Sequence, residues 1–120
     1  MSNAVNWFEI PVMDFARAKK FYSEIFSIDM QEHTMGPYQM GFFPGGGVSG
    51  AIVKGDNCIP SKEGVVVYLN GGDDLTVVLD RVEKAGGKIT QPKEMVTEEI
   101  GCIAFFIDTE GNRVALHSPK

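Results

Sequence analysis

Residues 5–26 read VNWFEIPVMDFARAKKFYSEIF, and this stretch decides the fold. From Val5 to Val12 the side chains alternate as in a strand, with Trp7 and Glu9 on one face and Phe8, Ile10 and Val12 on the other. Asp14 then stands where a helix needs an N-cap, because its carboxylate can accept one of the amide hydrogens that the first helical turn leaves unpaired. Beyond it Phe15, Ala18, Phe21, Tyr22, Ile25 and Phe26 recur at helical spacing, opposite Arg17, Lys20 and Glu24. The stretch therefore reads as a strand followed directly by an amphipathic helix.

Working outward, Ile28 to Met35 and Tyr38 to Phe43 read as strands, and Val48 to Val53 as a third. The intervening Pro44-Gly45-Gly46-Gly47 is a hairpin turn. It resembles a phosphate loop only in composition, since neither a helix nor Gly-Lys-Ser/Thr follows it. After a polar connection, Lys54 to Glu63, the order starts again. Val65 to Leu69 is a strand, Asp73 and Asp74 offer N-caps, and Leu75, Val78, Leu79, Val82 and Ala85 line a second helix that Gly86-Gly87 closes. A short strand over Lys88 to Gln91 precedes a poor strand sequence, Pro92 to Gly101. Cys102 to Ile107, a turn at Asp108 to Asn112, and Val114 to Ser118 complete the chain.

Placing Asp14 on Asp74 gives an offset of 60 residues, half the chain. The expected fold is α+β, a single domain over residues 1–120 built from two βαβββ modules, 5–55 and 64–118. A ferredoxin-like α+β barrel dimer is the other architecture with helices on antiparallel sheet, but it does not require three strands after each helix.

Composition bounds the function. A chain of 120 residues with 43% hydrophobic and 22% charged residues can build one core, and it is not the composition of a disordered segment. No apolar run approaches the ~18 residues that span a bilayer, and the polar start Met1-Ser2-Asn3-Ala4 does not read as a signal peptide. Sixteen acids against eleven bases give a net charge of -5, with the bases scattered, so nucleic acid is not an expected partner. Cys58 and Cys102 are the only cysteines and form no CxxC pair, which fits a reducing cytoplasm.

The segment Phe8-Glu9-Ile10-Pro11-Val12-Met13-Asp14 with Arg17-Ala18-Lys19-Lys20-Phe21-Tyr22 resembles the opening of vicinal oxygen chelate proteins. That superfamily includes glyoxalase I, bleomycin- and fosfomycin-resistance proteins and extradiol dioxygenases. Asp74 to Gly87 and the ending Asp108-Thr109-Glu110-Gly111-Asn112-Arg113 agree with it. The resemblance implies that the modules pair as a partial barrel around a cleft. In metal-dependent members, four His, Gln or Glu side chains there hold a divalent cation that chelates two substrate oxygens. Carried onto this sequence, those positions fall at Trp7, Val67, Ala115 and the stretch Gly50 to Ile52, where no such ligand stands. No metal cofactor is therefore expected. A displaced site would have to use Glu9 and His117, each two residues along its strand, with Glu32, His33 or a partner chain adding ligands.

Glu9 and His117 are accordingly the candidate catalytic residues, Glu9 as a general base in an apolar cleft. The bland alternative is a structural carboxylate and an end-of-strand histidine. Trp7 is the candidate aromatic wall for a flat ligand, or else a core residue. Tyr38, Met40 and Phe42 are candidates for the same wall, and alternation is expected to divide them between two faces. Neither cysteine has an identifiable base beside it.

The expected function is binding of a small organic molecule in the cleft between modules without the usual metal. The alternative is a lactoylglutathione-lyase-like or other lyase or isomerase, using the displaced site or Glu9 as base. Because a module of half this chain cannot bury enough surface alone, a homodimer is expected.

Overall fold

The computed structural model describes residues 3–120. Its elements run β1 (Trp7–Pro11), α1 (Phe15–Phe26), β2 (Gln31–Met35), β3 (Tyr38–Phe42), β4 (Ser49–Lys54), β5 (Tyr68–Asn70), α2 (Thr76–Val82), β6 (Lys88–Thr97), β7 (Gly101–Ile107) and β8 (Arg113–Ser118). Two open four-stranded sheets result, β1-β4-β3-β2 and β5-β8-β7-β6. In each, the strand before the helix pairs in parallel with the last strand of its module, and the other pairings are antiparallel. This is the α+β arrangement of two βαβββ modules, without a closed barrel.

Asp14 caps α1 as its position predicts, its Oδ1 accepting the Arg17 amide at 3.0 Å. The helix stops at Ser27, whose φ of 55° lies in the left-handed region. The start of α2 differs from expectation. Leu75 occupies the cap position and brings no cap oxygen, so the work is divided. Asp74 Oδ1 accepts the Thr76 amide at 2.9 Å, and Ser118 Oγ, from the end of β8, accepts the Leu75 amide at 3.0 Å. Asp73 makes no such bond among the described residues.

Three strand boundaries also move. Residues 28–30 and 65–67 lie outside strands, and Val65 is 93% exposed, with no neighbour to form a ladder. Conversely β6 runs on to Thr97 through register shifts between Ile89, Gln91, Glu94, Met95 and Thr97. These irregularities accommodate Pro92, which has no amide hydrogen to offer a regular ladder.

One core lies between the helices and the facing sides of both sheets. Phe15, Phe21, Tyr22 and Ile25 of α1 meet Val78, Leu79 and Val82 of α2 together with Phe106 and Leu116. The Phe21 ring lies 4.9 Å from Tyr22 and 5.8 Å from Phe106. Gly87 is required by this packing, since a Cβ there would fall 2.8 Å from the Phe21 ring and 2.9 Å from the Ile107 carbonyl oxygen.

The modules are also joined by the turn after β7. Buried Asp108 accepts the Tyr22 hydroxyl at 2.7 Å and the Asn112 side-chain amide at 3.0 Å. Asn112 also donates to the Pro11 carbonyl and accepts the Ser61 amide. Glu110 accepts the Met13 and Asp14 amides, the Thr109 hydroxyl and the Arg17 guanidinium, the last at 2.7 Å. The Asp108 to Arg113 motif therefore ties the second module to the β1–α1 junction of the first.

Candidate functional site

The side of the first sheet that faces away from the helices carries a second, smaller apolar cluster. Ala51, Val53 and Met40 are its buried floor, with Tyr38, Phe42 and Cys58 packed against them. Register explains the set. Trp7 stands opposite Ser49, Glu9 opposite Ala51, and Ala51 opposite Phe42, while Met40 stands opposite both Val53 and His33. Tyr38, Met40 and Phe42 occupy alternate positions of β3, so all three share this face; the expectation that alternation divides them is corrected.

Trp7 is 45% exposed rather than a core residue, its ring edge-on to Phe42 at 5.9 Å. Its indole Nε1 donates to Glu9 Oε2 at 3.3 Å. His33 lies tilted against the other side of Phe42 at 6.2 Å, and Glu32 is engaged by Lys19 at 3.1 Å. Trp7, Glu9 and Phe42 thus form one corner, with Tyr38 two rungs along β3. The segment after β4 folds toward this face, where Tyr38 passes so close to Gly55 that a Cβ there would overlap its ring. Cys58 follows, half-buried, and its thiol is pushed up first by burial and then by the negative charges of Glu9 and Asp56. A thiol raised in this way holds its proton more firmly than a free one.

The corresponding face of the second sheet holds Tyr68, Ala115 and Phe105 on one rung and Asn70, His117 and Ile103 on the next. Tyr68 packs edge-on to Phe105 at 5.7 Å, and the Arg113 guanidinium lies 4.6 Å from the Phe105 ring centre. His117 is on this second sheet, away from β1, and its Nε2 is 2.6 Å from the Ile100 carbonyl oxygen. That bond requires Nε2 to carry the hydrogen, which leaves the Nδ1 lone pair as the ring's acceptor.

The four positions that the resemblance marks for metal ligands can now be placed. Trp7 and Ala115 face away from the core, as does Ala51 within the 50–52 stretch. Val67 instead packs on the main core, and the outward position next to it is Tyr68. Indole, methyl, phenol and methyl make a poor set for a divalent cation that wants imidazole and carboxylate. One rung further the residues are Glu9, Val53, Asn70 and His117, with Asn70 Oδ1 already accepting the Gly72 amide. Among the described residues, three or more His, Cys, Asp or Glu side chains never converge. The residues present do not fit the metal.

Between the free edges of β1 and β5 runs a cleft of about 890 Å³, walled by Trp7, Phe8, Phe43, Val67 and Tyr68. Val5, Val48 and Val65 stand exposed at its rim. Sequence reasoning found Trp7 but not Tyr68 on the cleft wall, nor Ala51 and Cys58 in the outward cluster of the first sheet. The parallel pairing of β1 with β4, and of β5 with β8, sets those neighbours, and no local signal announces it.

A model of the Glyoxalase/Bleomycin resistance protein/Dioxygenase superfamily matches residues 4–116. A glyoxylase-like domain-containing protein from Didymella fabae is 32% identical over 122 residues, covering 93% of this chain and 91% of that one. Among solved structures, a glyoxylase/bleomycin resistance protein/dioxygenase domain from Frankia sp. EAN1pec matches with a TM-score of 0.74 at 18% identity, covering 98% of each chain. TnmS3, an antibiotic-binding protein from Streptomyces sp. CB03234, matches at 0.67 and 24% identity, over 98% of this chain and 97% of its own. Glyoxalase I from Zea mays matches at 0.68 and 22% identity, and there the chain spans only 43% of the larger protein.

Proposed function

Since the chain belongs to the glyoxalase/bleomycin resistance protein/dioxygenase superfamily, we propose that it binds a small organic molecule in the cleft between its modules, without a divalent metal. The observation that carries this reading is the cleft itself, about 890 Å³ in volume and lined chiefly by apolar and aromatic side chains. A cavity of this size suits a drug-sized ligand, whose rings Trp7, Phe8, Phe43 and Tyr68 would cover. A protein of the same fold and similar length is described as an antibiotic-binding protein, which supports this reading.

We propose further that the working unit is a homodimer. The edges of β1 and β5 leave backbone donors and acceptors unpaired, and Val5, Val48 and Val65 add apolar surface beside them. A second copy would pack along this rim and leave the cleft between the edges to the ligand. Two free thiols suit a reducing compartment such as the cytoplasm.

The enzymatic reading, a lactoylglutathione-lyase-like or other isomerising activity with Glu9 as general base, draws on the one carboxylate of the aromatic corner. Two assays separate the readings. Titration of aromatic compounds, read by calorimetry and by quenching of Trp7, is expected to be saturable, and the calorimetric binding is expected to be lost in Trp7→Ala. Methylglyoxal with glutathione, plus Zn2+ or Ni2+, is expected to give no rate above the uncatalysed one. A metal-dependent rate that Glu9→Gln removes would replace the binding reading with the catalytic one.

A further inference from the structure

We infer that the ligand of the Trp7 corner is a flat organic cation, its ring against Trp7 and Phe42 and its positive centre at the Glu9 carboxylate. The inference rests on the cleft reading above through Trp7, the residue that the cleft wall and this corner share.

Glu9 stands in the middle of β1 on a face shared with Trp7, Phe42, Met40, Ala51 and Val53, with His33 on β2 opposite Met40. Its cross-strand neighbour Ala51 offers no group that could answer a charge. The Trp7 indole hydrogen, 3.3 Å from Oε2, satisfies one lone pair and holds the carboxylate beside the ring. The ion pairs among the described residues engage Glu110, Glu32, Glu24 and Asp74, and none reaches Glu9. Cys58, whose thiol feels the Glu9 charge, carries no positive charge in either of its protonation states.

Two attractions therefore converge on one spot. The faces of indole and phenyl rings carry the negative part of the ring quadrupole, which draws a cation, and the carboxylate adds a full opposite charge at their edge. An anionic ligand would meet Glu9 and a chain of net charge -5. A neutral ring would use the aromatic walls but would leave the carboxylate desolvated and unanswered once it covered the corner.

The test uses three flat probes at about pH 8: N-methylquinolinium, its uncharged parent quinoline, and 2-naphthalenesulfonate. Binding is read by calorimetry and by quenching of Trp7, the only tryptophan in the sequence. The cation is expected to bind about tenfold more tightly than quinoline, and the sulfonate more weakly than either. Glu9→Gln, nearly isosteric and at an exposed position, should erase the difference by bringing the cation's affinity down to that of quinoline, with the thermal melt unchanged. Equal binding of cation and quinoline by the unaltered protein overturns the inference, as does a preference that survives in Glu9→Gln. In both cases the cleft reading stands if binding is saturable and lost in Trp7→Ala. If none of the three probes binds saturably, the cleft reading fails together with the inference.

Discussion

The hydroxyl of Tyr22 in α1 donates to the carboxylate of Asp108, 86 residues later, across 2.7 Å of buried space. Removing the hydroxyl leaves Asp108 short of one donor in a place that water does not reach. Tyr22→Phe is therefore expected to cost about 1–3 kcal/mol, read as a lowered urea midpoint with an unchanged slope. Burial, and then the negative charge of Asp108, push the Tyr22 phenol well above its ordinary range. A group raised in this way contributes stability that is complete at lower pH and is lost as pH rises past the unfolded value. The protein should accordingly weaken in alkali above about pH 10.

Glu110 sets the acid limit. Burial pushes its carboxyl up, but hydrogen bonds from Arg17, the Asp14 and Met13 amides and Thr109 outweigh that and hold it at about 2. The stabilisation is present above the unfolded value of 4.5 and is lost as pH falls from there through about 2. Arg17 is half-exposed and screened by solvent, so the contribution is on the order of 2 kcal/mol. Melts between about pH 5 and pH 2 should show a falling Tm whose slope is shallower in Glu110→Gln; an equal slope would remove Glu110 from the account.

Gly50 tests the packing under the aromatic corner. A Cβ at this position would lie 2.3 Å from the Phe8 carbonyl oxygen and 2.6 Å from its ring. The obstacle includes backbone, so β1 and β4 would have to separate. Gly50→Ala should cost about 2 kcal/mol or more, measured by chemical denaturation, and should weaken ligand binding at Trp7 with it.

Metal chemistry gives a direct check. A cation at 100 times its Kd adds about 2.7 kcal/mol, which is several degrees for a domain of this size. EDTA-stripped protein is expected to melt at the same temperature with and without excess Ni2+, Zn2+, Mn2+ or Fe2+. A shift with one metal that disappears in Glu9→Ala or His117→Ala would establish a displaced site.

Assembly is read by light scattering at micromolar concentration, where the mass expected is twice 13.1 kDa. Dilution below the dimer Kd should raise the exposure of Trp7, shifting its emission to the red. A monomeric mass at micromolar concentration would reject the dimer.

Much of this architecture was written in local pattern. The period change at Asp14 and the stripe from Phe15 to Ile25 define β1 and α1, because a helix buries what recurs on one side and Asp14 can close only an N-terminus. Where the pattern misled, the cause lay at a distance. Ser118, at the end of the last strand, takes the Leu75 amide that Asp73 or Asp74 was expected to cap. Residues 92–97 look unfit for a strand, yet β7 holds them through irregular pairing. The aromatic corner was half legible: Trp7 and Glu9 share a face by alternation alone, but that Phe42 and Ala51 complete it depends on β1 lying parallel to β4. The chemistry was less legible than the fold, since non-ligand side chains at the positions the resemblance marks for a metal argue against one mechanism and name no other.

The turn at residues 108–112 also bears on the order in which the chain can fold. The amides of Met13 and Asp14 find their acceptor in Glu110, 97 and 96 residues away, and the Pro11 carbonyl finds its donor in Asn112. During synthesis β1 and α1 emerge well before Glu110, so until that residue has left the ribosome their junction has only water for partners. The loop that must close to join them is almost as long as the chain, so its entropic cost falls due before most of the reward. Although the two halves look like repeats, the molecule matures as one cooperative unit, and its earliest segment is among the last to be locked.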